Sequence, residues 1–441
     1  GLQMSLFSRS NKTKFVEDQP AQKIQLDLSS DESQEHDQLQ EMVNEVPEEI
    51  EDIQEQEPEV QQTAYDPRTD VVETHEQLKQ RISRIQYVLA NFKQHRNPDI
   101  GRTTYLEILK KDVCQLYQYS AETADILFGL FGPEEFVQFV QACETQRPLT
   151  IRCNTLKLKR KELAQLLIAK GAEVEPVSWC HDALTIFKSQ VPIGATPEYM
   201  RGYYMPQDAA SLLPVLALKP QPNEKILDMA AAPGGKSTHI CQLMKNTGVL
   251  VVNDANFERI QGLQSNLSRM GCFNSIVINY PGQNIPFNNF NRILLDAPCT
   301  GLGVISKDQR VKANRDKSDL RKMQEIQRRL LWKALDLLDN SNDSARVVCY
   351  STCSVSVAEN EAVVDYVIRE RGDCKIIDTG LTVGRPGLKR FWDHQFCAGI
   401  ELSKRFYPHV HNVQGFYVCL IQKKVGVKCK REYGAKREEI E

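Results

Sequence analysis

Lys225-Ile226-Leu227-Asp228-Met229-Ala230-Ala231-Ala232-Pro233-Gly234-Gly235-Lys236-Ser237 passes from a short apolar run through small residues into two glycines and a lysine. Small residues at a strand-to-helix turn let the backbone approach a ligand closely, and the helix N-terminus that follows favours negative charge. The stretch predicts a nucleotide-like ligand at this loop. Outward from it, apolar runs alternate with helical stretches, which predicts a mostly parallel, Rossmann-like sheet covered on both faces. Strands are expected at 225–229, 249–253, 275–278, 292–295 and 346–350, and helices at 236–244, 258–270, 318–338 and 357–371. The β-rich segment 416–422 is expected as an antiparallel edge strand.

Two ligands suit the glycine loop. Residues 230–237 depart from the phosphate-binding pattern GxxxxGK[ST] only at the first position, and 292–296 resembles a strand that ends on a magnesium-binding acid. On that reading the chain is an ATPase. Two features favour S-adenosylmethionine instead. Asp254 closes the second strand, where a carboxylate accepts hydrogen bonds from both ribose hydroxyls. The strands ending near Asp296 and Tyr350 also deliver Cys299 and Cys353 to the rim where open α/β sheets bind ligands, and thiols placed there are nucleophile candidates. Packing explains any one of these residues, but it explains the combination poorly.

Composition sets the frame. A length of 441 residues with 41% hydrophobic content allows one large core and a smaller one. There is no apolar run of about 18 residues and no apolar core for a signal peptide, so neither a membrane span nor secretion is expected. Thirteen cysteines, an odd number with scattered spacing and no CxxC pair, predict reduced thiols of a cytosolic or nuclear protein and no metal site. Between Asp31 and Val60 lie thirteen acids and no Lys or Arg, so a chain of net charge −3 carries +10 outside that segment, which suits a polyanionic partner.

The chain is therefore divided into a disordered acidic tail (1–72), a helical region (73–148), an α+β module (149–221), the parallel-sheet domain (222–424) and a charged C-terminal tail (425–441). Within the module, a strand at 149–154, a basic amphipathic helix at 159–170 and a strand at 185–187 bring Arg152, Lys157, Lys159, Arg160 and Lys161 close together. This is a candidate RNA contact or an ordinary solvated face.

Asp296-Ala297-Pro298-Cys299-Thr300-Gly301 and Ser351-Thr352-Cys353-Ser354, together with 228–236, resemble the Sun-domain family of RNA cytosine-5 methyltransferases over about residues 80–422. Segments 191–199, 304–308 and 405–412 resemble its eukaryotic nucleolar branch, which acts on large-subunit ribosomal RNA. The resemblance implies a class I S-adenosylmethionine-dependent methyltransferase fold with a smaller N-terminal RNA-binding module. It further implies ribosomal RNA and pre-ribosomal particles as partners, a nuclear and nucleolar location, and a free protein expected to be monomeric. Carbon 5 of cytosine is a poor nucleophile until a thiolate adds at carbon 6. The family pattern makes Cys353 that nucleophile and Cys299 the thiol that assists adduct breakdown. Ala231, Ala232, Pro233, Gly234, Gly235, Lys236, Ser237 and Asp254 would hold the cofactor, Asp296 would lie between cofactor and base, and Arg152 and Asn154 would help contact RNA.

One departure stands out. The family usually has an acid within Asn-Tyr-Asp-Gly-Arg, the partner of the adenine amine, where this chain has Asn279-Tyr280-Pro281-Gly282-Gln283. Proline removes a side-chain acceptor and a backbone donor, leaving Asn284 as a neighbour to take the contact. The same departure keeps open a ribosome-assembly scaffold with this fold and little activity.

Overall fold

The computed structural model describes residues 65–70, 72, 74–341 and 345–434. Most of the expected acidic tail, residues 1–64, and the terminal 435–441 lie outside the described residues. The end of that tail is engaged: the Tyr105 hydroxyl donates to the Tyr65 carbonyl at 2.6 Å, and the Tyr65 hydroxyl donates to Asp70 at 2.6 Å.

The helical region consists mainly of α1 (His75–Ala90), α2 (Arg102–Tyr117) and α3 (Ala121–Glu144). Thr74 and Gln77 form a capping box that starts α1, and Leu78, Ile82, Ile85 and Leu89 then recur at helical spacing along its buried face. In α3, Gly132 takes a positive φ of 73° before Pro133, which lacks the N–H a continuous helix needs, so the helix bends there. Phe136, Phe139 and Val140 beyond the bend share a core with Leu109 and Val113 and also with Leu302, Ile305, Val355 and Tyr407. The helices and the sheet domain are thus packed on common apolar side chains. Truncating Leu109 to alanine in this core would cost about 2–5 kcal/mol.

The small module is an antiparallel sheet of β1 (Leu149–Cys153), β2 (Ala172–Pro176), β3 (Ala183–Ser189) and β4 (Tyr204–Pro206), in the order β2-β3-β1-β4, with α4 (Arg160–Ile168) against it. The sequence reading missed β2 and β4. β2 is an edge strand carrying Glu173, Glu175 and Pro176, and β4 has only three residues, so neither has an apolar period to detect.

The large sheet contains β5 (Lys225–Asp228), β6 (Val249–Asn253), β7 (Ser275–Ile278), β8 (Arg292–Asp296), β9 (Val347–Thr352), β10 (Cys374–Ile377) and β11 (Arg385–Pro386). A hairpin of β12 (Arg390–Phe391) and β13 (His394–Gln395) stands apart, and β14 (Lys404–Phe406) and β15 (Phe416–Lys423) return to the sheet. The order is β7-β6-β5-β8-β9-β15-β14-β11, with β10 also pairing β15; β5 to β9 are parallel. The chain runs from β5 to β6 on one side and later returns as β8 on the other. β5 is therefore the topological switch point, and the crevice beyond its C-terminal end is where such sheets bind ligands.

Two expectations change. β15 is antiparallel as expected but interior, flanked by β9, β10 and β14 rather than lying at an edge. Phe416 to Ile421 are all buried, the continuous apolar run of a strand covered on both faces. The helix expected from 357 begins at Glu361, because the Asn360 side chain is tied to Thr352 Oγ1 and Ser354 O and holds its backbone outside helical values. The chain beyond 424 is also docked: Tyr433 packs edge-on against Trp332 at 5.4 Å, and Lys430 N donates to Arg371 O. Among the described residues, no helix is long and apolar enough to cross a membrane.

Candidate active site

The loop after β5 is fixed from both neighbouring strands, Met229 N donating to Leu294 O and Ala231 N to Asn253 O. It turns at Gly234, whose φ of +100° suits only glycine and whose Cβ, if present, would lie 2.9 Å from Leu263. Helix α5 (Leu213–Leu218) packs under the sheet, and α6 (Gly235–Leu243) starts directly from the turn. Asp254, nearly fully buried at the end of β6, accepts from Ala232 N at 3.0 Å and Asn256 N at 3.0 Å. Its Oδ2 also pairs with Arg259 at 3.3 Å, so of about four acceptor positions one remains for a ligand hydroxyl, and a second hydroxyl would have to displace Arg259. Asp228 accepts from Ser237 Oγ at 2.6 Å on one oxygen, and its other oxygen is buried without a partner. Burial pushes this carboxyl up to about 7 against the Ser237 hydrogen bond. A glycine turn, a buried acid at the next strand end and an unspent buried acceptor fit an S-adenosylmethionine-type ligand. Ala231 to Ser237 and Asp254 would hold it.

Lys236 does something the sequence reading did not assign. Its amine donates to Asp296 Oδ2 at 2.7 Å and lies over the Phe416 ring, 5.6 Å from its centroid. Burial works against the ammonium, but the Asp296 carboxylate outweighs burial and leaves its pKa raised. A phosphate-binding lysine would need that charge free, so the resemblance of 230–237 to a P-loop stops at the pattern. Ser351 Oγ donates to the other oxygen of Asp296 at 2.8 Å, which fixes the carboxylate from both sides.

Cys299 follows β8 and Cys353 follows β9, and because the strands are parallel neighbours their Sγ atoms lie 2.8 Å apart. The hydrogen bond to Cys353, then burial, raises the Cys299 pKa well above its ordinary value, so Cys299 keeps its proton. The turn carrying it is held by Glu359, which accepts from Thr300 N at 2.8 Å and Thr300 Oγ1 at 2.6 Å. Gln327 of α8 (Lys317–Leu337) donates to Pro298 O at 2.8 Å and to Glu359. Behind Cys353, Gly303 N donates to the Cys353 carbonyl at 2.9 Å, and a Cβ on Gly303 would collide with Gly415 O at 2.0 Å. Glu359, Gln327 and Ser351 were missed as supports. The burial that marks Glu359 as a support is a property of the fold and leaves no signal in the sequence.

The expected RNA-contacting residues divide. Arg152 and Asn154 do not face solvent, and the expectation that they touch RNA is corrected by their burial. Arg152 donates to Gly235 O at 2.6 Å and Thr238 Oγ1 at 2.7 Å, both in the first turn of α6, and also to Gln207 and Gln242. Asn154 donates to Gly202 O and Met270 O, the latter at the end of α7 (Phe257–Met270). On a strand buried on both sides, β1 points its polar residues at the catalytic domain, and periodicity alone gave no warning. Lys157 is exposed along its stem, but its amine donates to Arg201 O and Arg269 O, and Arg160 donates to Cys180 O. Lys159 and Lys161 remain exposed.

Comparison with known proteins follows the same outline. Residues 215–422 match the family model of the 16S rRNA methyltransferase RsmB/F, and 125–209 match the N-terminal domain of the 16S rRNA methyltransferase RsmF. The chain is 47% identical to the 26S rRNA (cytosine-C(5))-methyltransferase of Caenorhabditis elegans, over 80% of this chain and 54% of that protein. It is 44% identical to the human 28S rRNA (cytosine(4447)-C(5))-methyltransferase, over 79% of this chain and 43% of that one. A methyltransferase homologue from Pyrococcus horikoshii superposes with a TM-score of 0.64 at 34% identity, covering 71% of this chain and 98% of that structure. The chain spans about half the length of the eukaryotic curated relatives it matches. With the switch-point loop, the paired thiols and these likenesses in agreement, the chain belongs to the RsmB/F, or Sun-domain, family of methyltransferases.

Proposed function

We propose that this chain is the catalytic part of an S-adenosylmethionine-dependent enzyme that methylates carbon 5 of a cytosine in large-subunit ribosomal RNA during nucleolar ribosome assembly. The observation that carries the reading is the pair Cys299 and Cys353, 2.8 Å apart beside an Asp296 held by Lys236 and Ser351. Cys353, as thiolate, adds to carbon 6 of the base and makes carbon 5 nucleophilic. Asp296 faces the ring nitrogen or exocyclic amine and steadies the adduct, with Lys236 and Ser351 keeping it oriented. The cofactor, when bound, supplies the methyl group.

After transfer, the carbon 5 proton must leave and the bond between Cys353 and carbon 6 must break. Cys299 has a role here that follows from its hydrogen bond. The largest cause of its raised pKa is Cys353. Once Cys353 is bonded to carbon, that cause of the raised pKa is gone, so Cys299 gives up its own proton to solvent. As thiolate it takes the proton from carbon 5, after which the electron pair left at carbon 5 expels the Cys353 thiolate from carbon 6. Exposed Lys159 and Lys161 supply RNA contacts by charge alone. Bisulfite sequencing of ribosomal RNA from cells with and without the protein tests the reading. One large-subunit cytosine should lose its methyl mark when the protein is removed, and an unchanged map would overturn the proposal.

A further inference from the structure

Between the small module and the catalytic domain runs a groove of about 230 Å³ that the steps above leave unused. Its floor is the face of the module sheet that carries Arg152 and is turned toward the catalytic domain. Thr150 of β1 and Thr185 of β3 are cross-strand partners, and Phe187, two residues further along β3, shares their face. Phe187 is 55% exposed, an aromatic ring with no packing reason to stand in water. Trp179, on the turn between β2 and β3, closes one end. The facing wall is His411 to Gln414 of the catalytic domain. Tyr407 N donates to His411 Nδ1 at 3.0 Å, so a neutral ring keeps its proton on Nε2 and is a donor there. At the rim, Arg147 has a buried Nε without a partner.

The wall of this groove is tied through the backbone to the segment that carries Cys353. Gln414 accepts from Ser306 Oγ and precedes Gly415, whose N–H donates to Gly303 O, and Gly303 in turn donates to the Cys353 carbonyl. Lys307, in the same segment, pairs with Asp208 of the groove at 2.6 Å. The volume lies below the range of about 300–1,000 Å³ that holds a free drug-sized ligand. Exposed aromatic faces beside hydrogen-bonding side chains are the means by which proteins hold unstacked bases of single-stranded nucleic acid.

Resting on the methyltransferase reading, we infer that this groove takes one base flanking the target cytosine, stacked on Phe187, and so sets the register of the RNA over Cys353. The test uses single-stranded oligoribonucleotides with one cytosine in a uridine background, with an abasic site introduced in turn at each flanking position. For the native chain, one abasic position should weaken binding by about 5- to 20-fold. Phe187→Ala should bind the intact RNA that much more weakly, be indifferent to the abasic site at that position, and transfer methyl more slowly even at saturating RNA, because misregistered complexes place uridine over Cys353. Phe187→Tyr should restore both affinity and sensitivity. Thermal melting separates misfolding from lost contact, although an exposed ring should leave the melting temperature unmoved. If Phe187→Ala retains full sensitivity to every abasic site while methyl transfer proceeds, the groove does not hold a base. Absence of methyl transfer in the native chain would instead count against the methyltransferase reading itself.

Discussion

Arg152 and Lys236 are both cations beside the cofactor loop, and both were read from sequence as touching a ligand. Arg152 belongs to β1 of the small module and is fully buried; its donors grip Gly235 and Thr238 at the start of α6. Lys236 belongs to α6 itself and reaches across to Asp296 at the catalytic rim. Both are turned to partners within the protein. One braces the helix that carries the loop, and the other orients an acid. A cation's address in a fold decides its work, and sequence neighbours such as Lys159 and Lys161 can remain solvated while Arg152 is sealed inside.

The comparison breaks most visibly at Arg152. Arg152→Ala should leave Gly235 O and the Gln207 and Gln242 side chains without their donor, costing about 3 kcal/mol of stability in urea unfolding and weakening S-adenosylhomocysteine binding. Loss of RNA affinity with stability unchanged would return Arg152 to the RNA surface. A smaller effect is expected across the crevice. Pro281 is exposed beyond β7, beside Asp254, whose carbonyl accepts from Asn279 at 2.6 Å. Pro281→Asp should tighten S-adenosylhomocysteine binding by about 1 kcal/mol in calorimetry, with equal or weaker binding showing that the acid has no acceptor role here. The least effect belongs to the exposed lysines. Changing Lys159 and Lys161 to glutamine should reduce the slope of log affinity for RNA against log salt by about 1.4 with no change in melting temperature. An identical slope would make them plain surface.

The parallel sheet and its rim were legible because β5, β6, β8 and β9 are short apolar runs that end on a polar residue, a pattern that positions side chains without knowledge of what packs around them. Asp254, Cys299 and Cys353 could therefore be placed from order alone. The supports were not legible. Glu359, Gln327 and Ser351 act through contacts between elements far apart in sequence, and Arg152 sits on a strand whose apolar–polar alternation marks its face as the outer one, although the catalytic domain covers it. β15 was mistaken for an edge because the antiparallel return is set by the β14 and β9 pairings, which no local feature of 416–422 encodes.

The central claim is that two thiols at neighbouring strand ends divide one reaction, attack by Cys353 and release by Cys299. Denaturing gel electrophoresis of each variant incubated with substrate RNA and S-adenosylmethionine tests it most directly. Cys353→Ala should abolish methyl transfer and give no covalent protein–RNA species, Cys299→Ala should accumulate that species, and the double variant should give none. An adduct that forms with Cys353→Ala but not with Cys299→Ala would reverse the assignment, and stably folded variants that yield no adduct at all would contradict the two-cysteine mechanism.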